Sequence, residues 1–155
     1  MAARLIAGGA WCRIVIDGAV MGLVTGASYD EDWGVTPAKV LNHHGPIDYD
    51  SQDYTCRVTL QAFVPEPSAI APYPDGGSKA LVDMLPTRRD VQSNAGKPGM
   101  FSTLQFVSTS SSKVLAQFEK VMISSNGVQV APNSFVTANI QMLAVERVPL
   151  ATTPV

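Results

Sequence analysis

Between Gly22 and Val64 the sequence reads as two long strands joined by an acid-rich loop. The outgoing arm is GLVTGASYDEDWGV, the connector is PAKVLNHHGPIDYDSQ, and the return arm is DYTCRVTLQAFV. On the return arm Cys56, Val58, Leu60, Ala62 and Val64 fall on one side, and Thr55, Arg57, Thr59 and Gln61 on the other. A period of two is what a strand shows when one sheet face is buried and the other stays wet. The run SFVTANIQMLAVER repeats it: Val136, Ala138, Ile140, Met142 and Ala144 oppose Thr137, Asn139 and Gln141. Small uncharged polar residues along the wet side of long strands suit a wall better than an enzyme pocket.

The expected fold class is therefore mainly β, a β-sandwich or partial barrel. At 155 residues a single domain spanning 1–155 is the default. The chain is 46% hydrophobic but only 15% charged, against about 25% in an ordinary soluble domain. Membrane insertion does not account for the deficit, because the apolar runs fall far short of the roughly 20 residues that cross a bilayer. A chain with so few charges for its surface is expected to cover part of that surface with copies or partners. The net charge of −2 offers no basic footprint for gripping nucleic acid.

Cys12 and Cys56 lie inside expected strands and read as small core residues. The start, MAARLIA followed by Gly8-Gly9, lacks the apolar core of a secretion signal. Synthesis in a reducing cytoplasm with both thiols free is expected.

Along the chain, residues 1–10 form an expected N-terminal arm, and a strand follows at Cys12 to Ile16. Asp17-Gly18 supplies the positive φ that a tight hairpin needs. Residues 65–100 form a proline-rich insert carrying Pro65, Pro67, Pro72, Pro74, Pro86 and Pro98, which excludes regular strand over much of it. Within it Ser78 is expected to cap one short helix, SKALVDMLPTRRD, with Leu81, Val82 and Leu85 on one side. Strands are expected at Ser102 to Val107, Val114 to Ile123 and Phe135 to Arg147. Asn126-Gly127 is expected to turn before a short strand at Val128 to Val130. Residues 148–155 read as a C-terminal arm.

Catalytic, cofactor and metal signatures are missing from the sequence. His43-His44 cannot chelate one ion from a strand, where neighbours point to opposite faces, and no third ligand is spaced to help them in a loop. DYDSQD lacks the turn glycine and the closing glutamate of a calcium loop. Neither a nucleophile elbow nor a phosphate cradle is present. The acids do carry information as a distribution. Six acids and one base lie between Asp30 and Asp53, whereas the remainder holds seven acids and ten bases. An acidic loop on a slightly basic body permits head-to-tail contact with a basic rim on the next copy. Arg88, Arg89, Lys97 and Lys113 are the expected rim.

The order of these segments resembles the phage tail tube protein family, with relatives in tailocins and type VI secretion. The likeness runs from IVIDGAVMGLVTGASYDED through YTCRVTLQAF and FSTLQFVSTSSSKVLAQFEKVMISS to SFVTANIQMLAVE, about residues 11 to 147. It implies a structural virion protein whose inner sheets join between subunits. Six copies close a ring, and rings stack head-to-tail into the hollow tube that passes double-stranded DNA. The implied partners are further copies, the tail sheath, a baseplate initiator and a tail terminator, with no membrane insertion of its own. The implied location is the virion tail, after assembly in the bacterial cytoplasm. The loop implied to touch the neighbouring ring spans about Thr36 to Gln52, and His43, His44, Asp48, Asp50 and Asp53 are its candidate contacts. An outer or inter-ring place is expected for the 65–100 insert.

A bore that passes DNA should not hold it, since each Lys or Arg contact with phosphate adds affinity. The expected lumen-facing set is Ser28, Asp30, Asp32, Thr55, Arg57, Thr59, Gln61, Thr137, Asn139 and Gln141. Arg57 is the exception, which Asp30 or Asp32 across the sheet would neutralise. Phe63, Phe106, Phe118 and Phe135 are expected anchors of the apolar body. Replacing Asp48 and Asp50 by lysine is expected to impair stacking without unfolding the subunit. Two other readings remain open from the residues alone. One is a monomeric β-barrel that binds a small ligand between its sheets. The other is a hydrolase built on His43 or His44.

Overall fold

A computed structural model describes residues 6–92 and 99–149. After a 3₁₀ turn at Gly9–Trp11 come β1 (Cys12–Ile16), β2 (Ala19–Gly22), β3 (Val24–Asp32), β4 (Val35–Ala38), β5 (Asp48–Ser51) and β6 (Thr55–Phe63). Then follow β7 (Lys79–Ala80), a 3₁₀ turn at Leu81–Met84, α1 (Arg88–Gln92), β8 (Met100–Ser108), β9 (Lys113–Gln129), β10 (Thr137–Ala144) and β11 (Glu146–Arg147). The strands hydrogen-bond in the order β3-β6-β10-β9-β8-β1-β2-β7, with β11 also on β9, while β4 and β5 pair apart as a two-stranded ribbon.

The long strand β9 organises the molecule. Its first part, Lys113 to Met122, pairs with β8, and its second part, Met122 to Gln129, pairs with β10. Lys120 has a φ of +50°, and the register with β10 slips between Gln141 and Met142. Such irregularities bend a strand and increase its twist, and here they divide the path into two layers. One layer is β3-β6-β10 with the end of β9. The other is the start of β9 with β8, β1, β2 and β7.

The expected alternation is what fills the space between the layers. Cys56, Val58, Leu60 and Ala62 on β6, with Ile140 and Met142 on β10, are buried in one cluster with Ile14, Ile16, Met21, Leu104 and Phe118. Tyr29 of β3 closes the seam, its ring 5.1 Å from Phe118 and 6.0 Å from Phe106. Phe106 and Phe118 therefore anchor the body as expected. Phe63 and Phe135 do not. They pack on each other at 5.4 Å at the end of the sheet, Phe63 39% and Phe135 78% exposed, because Phe63 is odd-numbered on β6 and shares the wet face with Gln61.

The hairpin at Asp17-Gly18 forms as expected, with φ of +49° and +83°. Three local expectations fail. Asn126-Gly127 is no turn: Asn126 pairs with Ile140 and Gly127 with Asn139 inside β9. The chain reverses later, through Pro132 and Asn133, where the missing proline N–H ends the ladder. The helix expected from Ser78 is broken into β7, a 3₁₀ turn and the five-residue α1. Ser78 instead donates both its N–H and its hydroxyl to the Val20 carbonyl. The helix cap is Thr87, which accepts from the Asp90 N–H at 3.3 Å while Asp90 accepts from the Thr87 N–H at 2.9 Å, a reciprocal capping box.

The insert packs on the layer remote from β3. Lys79 and Ala80 run parallel to Met21 and Gly22, and Leu81 reaches the core. At this junction the backbones of Gly22 and Gly77 approach so closely that a Cβ on Gly77 would collide with the Gly22 backbone. That contact is the use of the Gly76-Gly77 pair.

Candidate assembly surfaces

Register assigns the wet face of the first layer. Directly opposed residues in an antiparallel pair share a face. The rows read Gly26–Gln61–Asn139–Gly127, Ser28–Thr59–Gln141–Ser125 and Asp30–Arg57–Leu143–Met122, with Asp32–Thr55 at one end and Phe63–Thr137–Gln129 at the other. All ten residues expected to line a lumen, namely Ser28, Asp30, Asp32, Thr55, Arg57, Thr59, Gln61, Thr137, Asn139 and Gln141, thus stand on one face. Arg57 lies directly opposite Asp30, and these two with Asp32 and Thr55 line a shallow hollow. These rows hold no lysine.

The alternation rule missed members of this face. Leu143 and Met122 form an exposed apolar pair within the Arg57 row. Ser125, Gly127 and Gln129 join it from β9. The alternation hides them because Ser124 bulges out of register opposite Gln141 and Met142, which shifts β9 by one residue and inverts its alternation.

Among the described residues both sides of this four-stranded layer are open. Among the described residues β3 pairs with β6 alone. On the other side β8 stops pairing at Met122, with one further bond from the Ile123 N–H to the Gly99 carbonyl. Among the described residues, β9 from Ser124 to Gln129 pairs with β10 alone, and every residue there is exposed.

The acidic connector is a projecting ribbon. Val35 opposes Ser51, Thr36 opposes Asp50, Pro37 opposes Tyr49 and Ala38 opposes Asp48. The acids Asp48 and Asp50 therefore share one ribbon face with Thr36 and Ala38, and Val35, Pro37 and Tyr49 share the other. All eight residues are exposed. Asp53 sits at the root. The tip carries His43 and His44 with Val40, Leu41 and Ile47, all exposed. The acids of the loop thus lie on the stem, and the tip mixes the apolar Val40, Leu41 and Ile47 with Asn42, His43 and His44.

A polar cluster holds the root. Glu31 of β3 accepts hydrogen bonds from the Tyr54 hydroxyl, at 2.8 Å, and from Arg147 Nε of β11. Burial pushes the Glu31 carboxyl up, but the bonds from Tyr54 and Arg147 and the Arg147 charge outweigh it and hold the pKa below the usual range. Burial, with the Glu31 carboxylate, pushes the Tyr54 phenol up to about 12. Trp33 lies beside Tyr54 at 6.1 Å, and Ser51 Oγ donates to the Trp33 carbonyl at 2.6 Å.

The expected basic rim is not gathered into one patch. Pro86, just before Arg88 and Arg89, lies against Gly99 at the start of β8, whereas Lys113 follows the far end of that strand. These three cations are exposed; Lys97 lies outside the described residues. Both cysteines are free, Cys12 half-buried and Cys56 buried, with burial pushing the Cys56 thiol up. Among the described residues no three His, Cys, Asp or Glu side chains gather as a metal-holding group. No described helix is long and apolar enough to cross a membrane.

With this geometry the chain can be compared with known proteins. Neither a family model nor a curated protein matches the sequence. Solved structures do match its shape. A chain from the tail of an empty gene transfer agent particle, refined with helical and C6 symmetry, superposes with a TM-score of 0.58 at 11% identity. The match covers 94% of this chain and all of the other. A chain from the native gene transfer agent virion gives 0.57 at 10% identity, covering 91% and 95%. A chain from the extended sheath–tube complex of the PVC extracellular contractile injection system gives 0.61 at 10% identity, covering 93% and 90%. The chain has the fold of these three chains. The likeness spans nearly the whole of each chain, so the fold matches as a complete domain rather than as a shared hairpin.

Proposed function

We propose that the chain is the subunit of a hollow phage-type tail tube. Six copies close a ring through their four-stranded layers, rings stack, and double-stranded DNA passes along the bore. The observation that carries this reading is one layer whose two edges are unpaired among the described residues and whose polar face holds no lysine. Unpaired edges invite further strands, and closing a sheet into a barrel removes them. Pairing the β3 edge of one copy with the Ser124–Gln129 edge of the next would join the layers. The polar face would then turn inward, presenting Thr59, Gln61, Asn139 and Gln141 to the DNA with Arg57 offset by Asp30. Tail and sheath–tube chains of the same fold support this assembly, and sheath, initiator and terminator proteins are its proposed partners. Its proposed place is the virion tail, with synthesis in the bacterial cytoplasm. Phe118, Leu60, Leu104 and Ile140 fill the centre of the interior and count against a ligand held there, as a binding barrel would need.

Negative-stain electron microscopy of the purified protein at high concentration tests the proposal. Uniform rings or filaments with a central bore are expected. Dispersed monomers that bind a small ligand saturably would favour the barrel instead.

A further inference from the structure

We propose that Asn126 is a self-modification site: in the free subunit the backbone nitrogen of Gly127 attacks its side-chain amide, and the product is barred from edge-to-edge pairing. The chemistry stands on this chain alone. Its consequence for assembly rests on the tube reading and adds to it an ageing step that removes subunits left unassembled.

Asn126-Gly127 is the one Asn-Gly step in the chain. It has the makings of a turn, yet it lies inside β9 with Asn126 opposite Ile140 and Gly127 opposite Asn139. Glycine in second place leaves the attacking nitrogen unshielded by a side chain and gives the backbone the freedom to bring it round. The reaction needs no partner but water. The Gly127 nitrogen bonds to Asn126 Cγ, the Cγ–Nδ2 bond breaks, and ammonia leaves with the proton from the glycine nitrogen, which closes a cyclic imide. Water then opens the imide. Cleavage at Cγ gives aspartate, and cleavage at the main-chain carbonyl carbon of residue 126 gives isoaspartate, whose main chain runs through Cγ.

The structure places this step where the fold holds it least. Ile140 is fully buried, but Asn126 opposite it is exposed, because β8 stops pairing at Met122 and leaves that face uncovered. A Cβ on Gly127 would meet nothing within 4 Å. Backbone groups along an antiparallel strand turn alternately to its two neighbours. The Val136 carbonyl accepts from the Val64 N–H, so even-numbered residues of β10 turn to β6 and odd-numbered ones to β9. The Ser124 hydroxyl on the Gln141 carbonyl, at 3.1 Å, agrees. Gly127 is therefore bonded to Asn139, whereas Asn126 turns its own N–H and carbonyl to the open edge. Attack requires the bonds between Gly127 and Asn139 to open, and a strand held on one side opens more readily than one held on both. In a closed ring a neighbour's strand would take up the Asn126 backbone groups and hold the step extended.

Either product spoils the edge. Isoaspartate adds a carbon to the main chain, which throws residues 127–129 out of register with their neighbours. Aspartate adds a charge, and β3, the strand proposed to meet this edge, already carries Asp30, Glu31 and Asp32. Like charges facing one another across a ladder destabilise it.

Two measurements test this. The free subunit is held at mildly alkaline pH and its peptides are mapped by mass spectrometry, with isoaspartate located by isoaspartyl methyltransferase labelling. Conversion is expected at Asn126 well ahead of Asn133 and Asn139. It is expected to be largely lost in Gly127→Ala, whose fold is checked by its circular dichroism melt. Conversion at Asn126 no faster than at Asn133, or undiminished in Gly127→Ala, would overturn the inference. Second, aged subunits are assembled and the tubes separated from the remainder. Isoaspartate at position 126 is expected to concentrate in the remainder, whereas Asn126→Gln chains aged in the same way are expected to assemble in full. Equal shares in the two fractions would overturn the barred edge and leave the tube reading standing. Unaltered protein that forms neither rings nor tubes would overturn the tube reading, while the map of the free subunit still decides the chemistry at Asn126.

Discussion

Glu31 of β3 and Arg147 of β11, 116 residues apart in sequence, form an ion pair at the root of the projecting ribbon. The Tyr54 hydroxyl joins them, donating to Glu31 at 2.8 Å and accepting from the Arg147 backbone N–H at 3.4 Å. The cluster ties the last described strand to both strands that flank the ribbon.

The cluster makes stability depend on pH in two windows. The folded Glu31 pKa lies below its unfolded value of about 4.3. Its contribution is therefore present above that value and is lost as pH falls through the folded pKa. Tyr54 is raised to about 12, so its contribution is complete below the unfolded value of about 10 and is lost as pH rises towards 12. Urea denaturation from pH 3 to 11 should show both limbs. Glu31→Gln is expected to be less stable at pH 7 and to have a shallower acid limb, and Tyr54→Phe a shallower alkaline one. Parallel curves for all three proteins would remove the cluster from the stability account.

Packing between the layers makes a second demand. Phe118 is fully buried against both Phe106 and Tyr29. Phe118→Ala should lower the unfolding free energy by about 3–5 kcal/mol, the usual loss for a buried aromatic ring. Phe135→Ala, at the exposed end, should change it by about 0.5 kcal/mol or less. Equal losses, measured by denaturant titration at pH 7, would contradict the assignment of one ring to the core and the other to the end groove.

The Gly22–Gly77 approach predicts a local effect. A methyl group on Gly77 must push the insert off β2. Gly77→Ala is expected to cost about 1–3 kcal/mol, the range for overpacking, and to expose residues 65–86 to limited proteolysis. Cleavage patterns identical to those of the unaltered chain would show that the junction yields without consequence.

The sequence carried the parts of this fold that depend on a repeated rule. Alternation on β6 and β10 gave the buried and wet faces, because eight consecutive register pairs between those strands enforce it. What it concealed depends on single local competitions. Asn126-Gly127 has good turn chemistry, yet the ladder to β10 continues past it until Pro132. Ser78 is a good cap, yet its N–H and hydroxyl are used by Val20, and Thr87 takes the role. The Phe63–Phe135 groove was invisible for another reason: it joins residues 72 positions apart whose partnership is set only when β6, β10 and the turn before β10 come together.

The wet face supports a prediction about DNA. Gln61, Asn139 and Gln141 lie on adjacent strands of the proposed lumen wall, Gln61 and Asn139 in the same row. Replacing all three by lysine should leave the subunit folded, since all three are exposed, and should leave tubes able to form. Those tubes are expected to retain a short linear duplex that the unaltered tubes release. Retention should fall steeply with salt, because 6–10 phosphate contacts lose about 10³–10⁵ in affinity between 50 and 200 mM. A filter-binding series over that range measures the slope. Tubes that carry nine added phosphate-binding groups per three subunits and still release DNA at 50 mM would mean that this face does not line the bore. The Ser124–Gln129 edge would then have to pair in a different orientation.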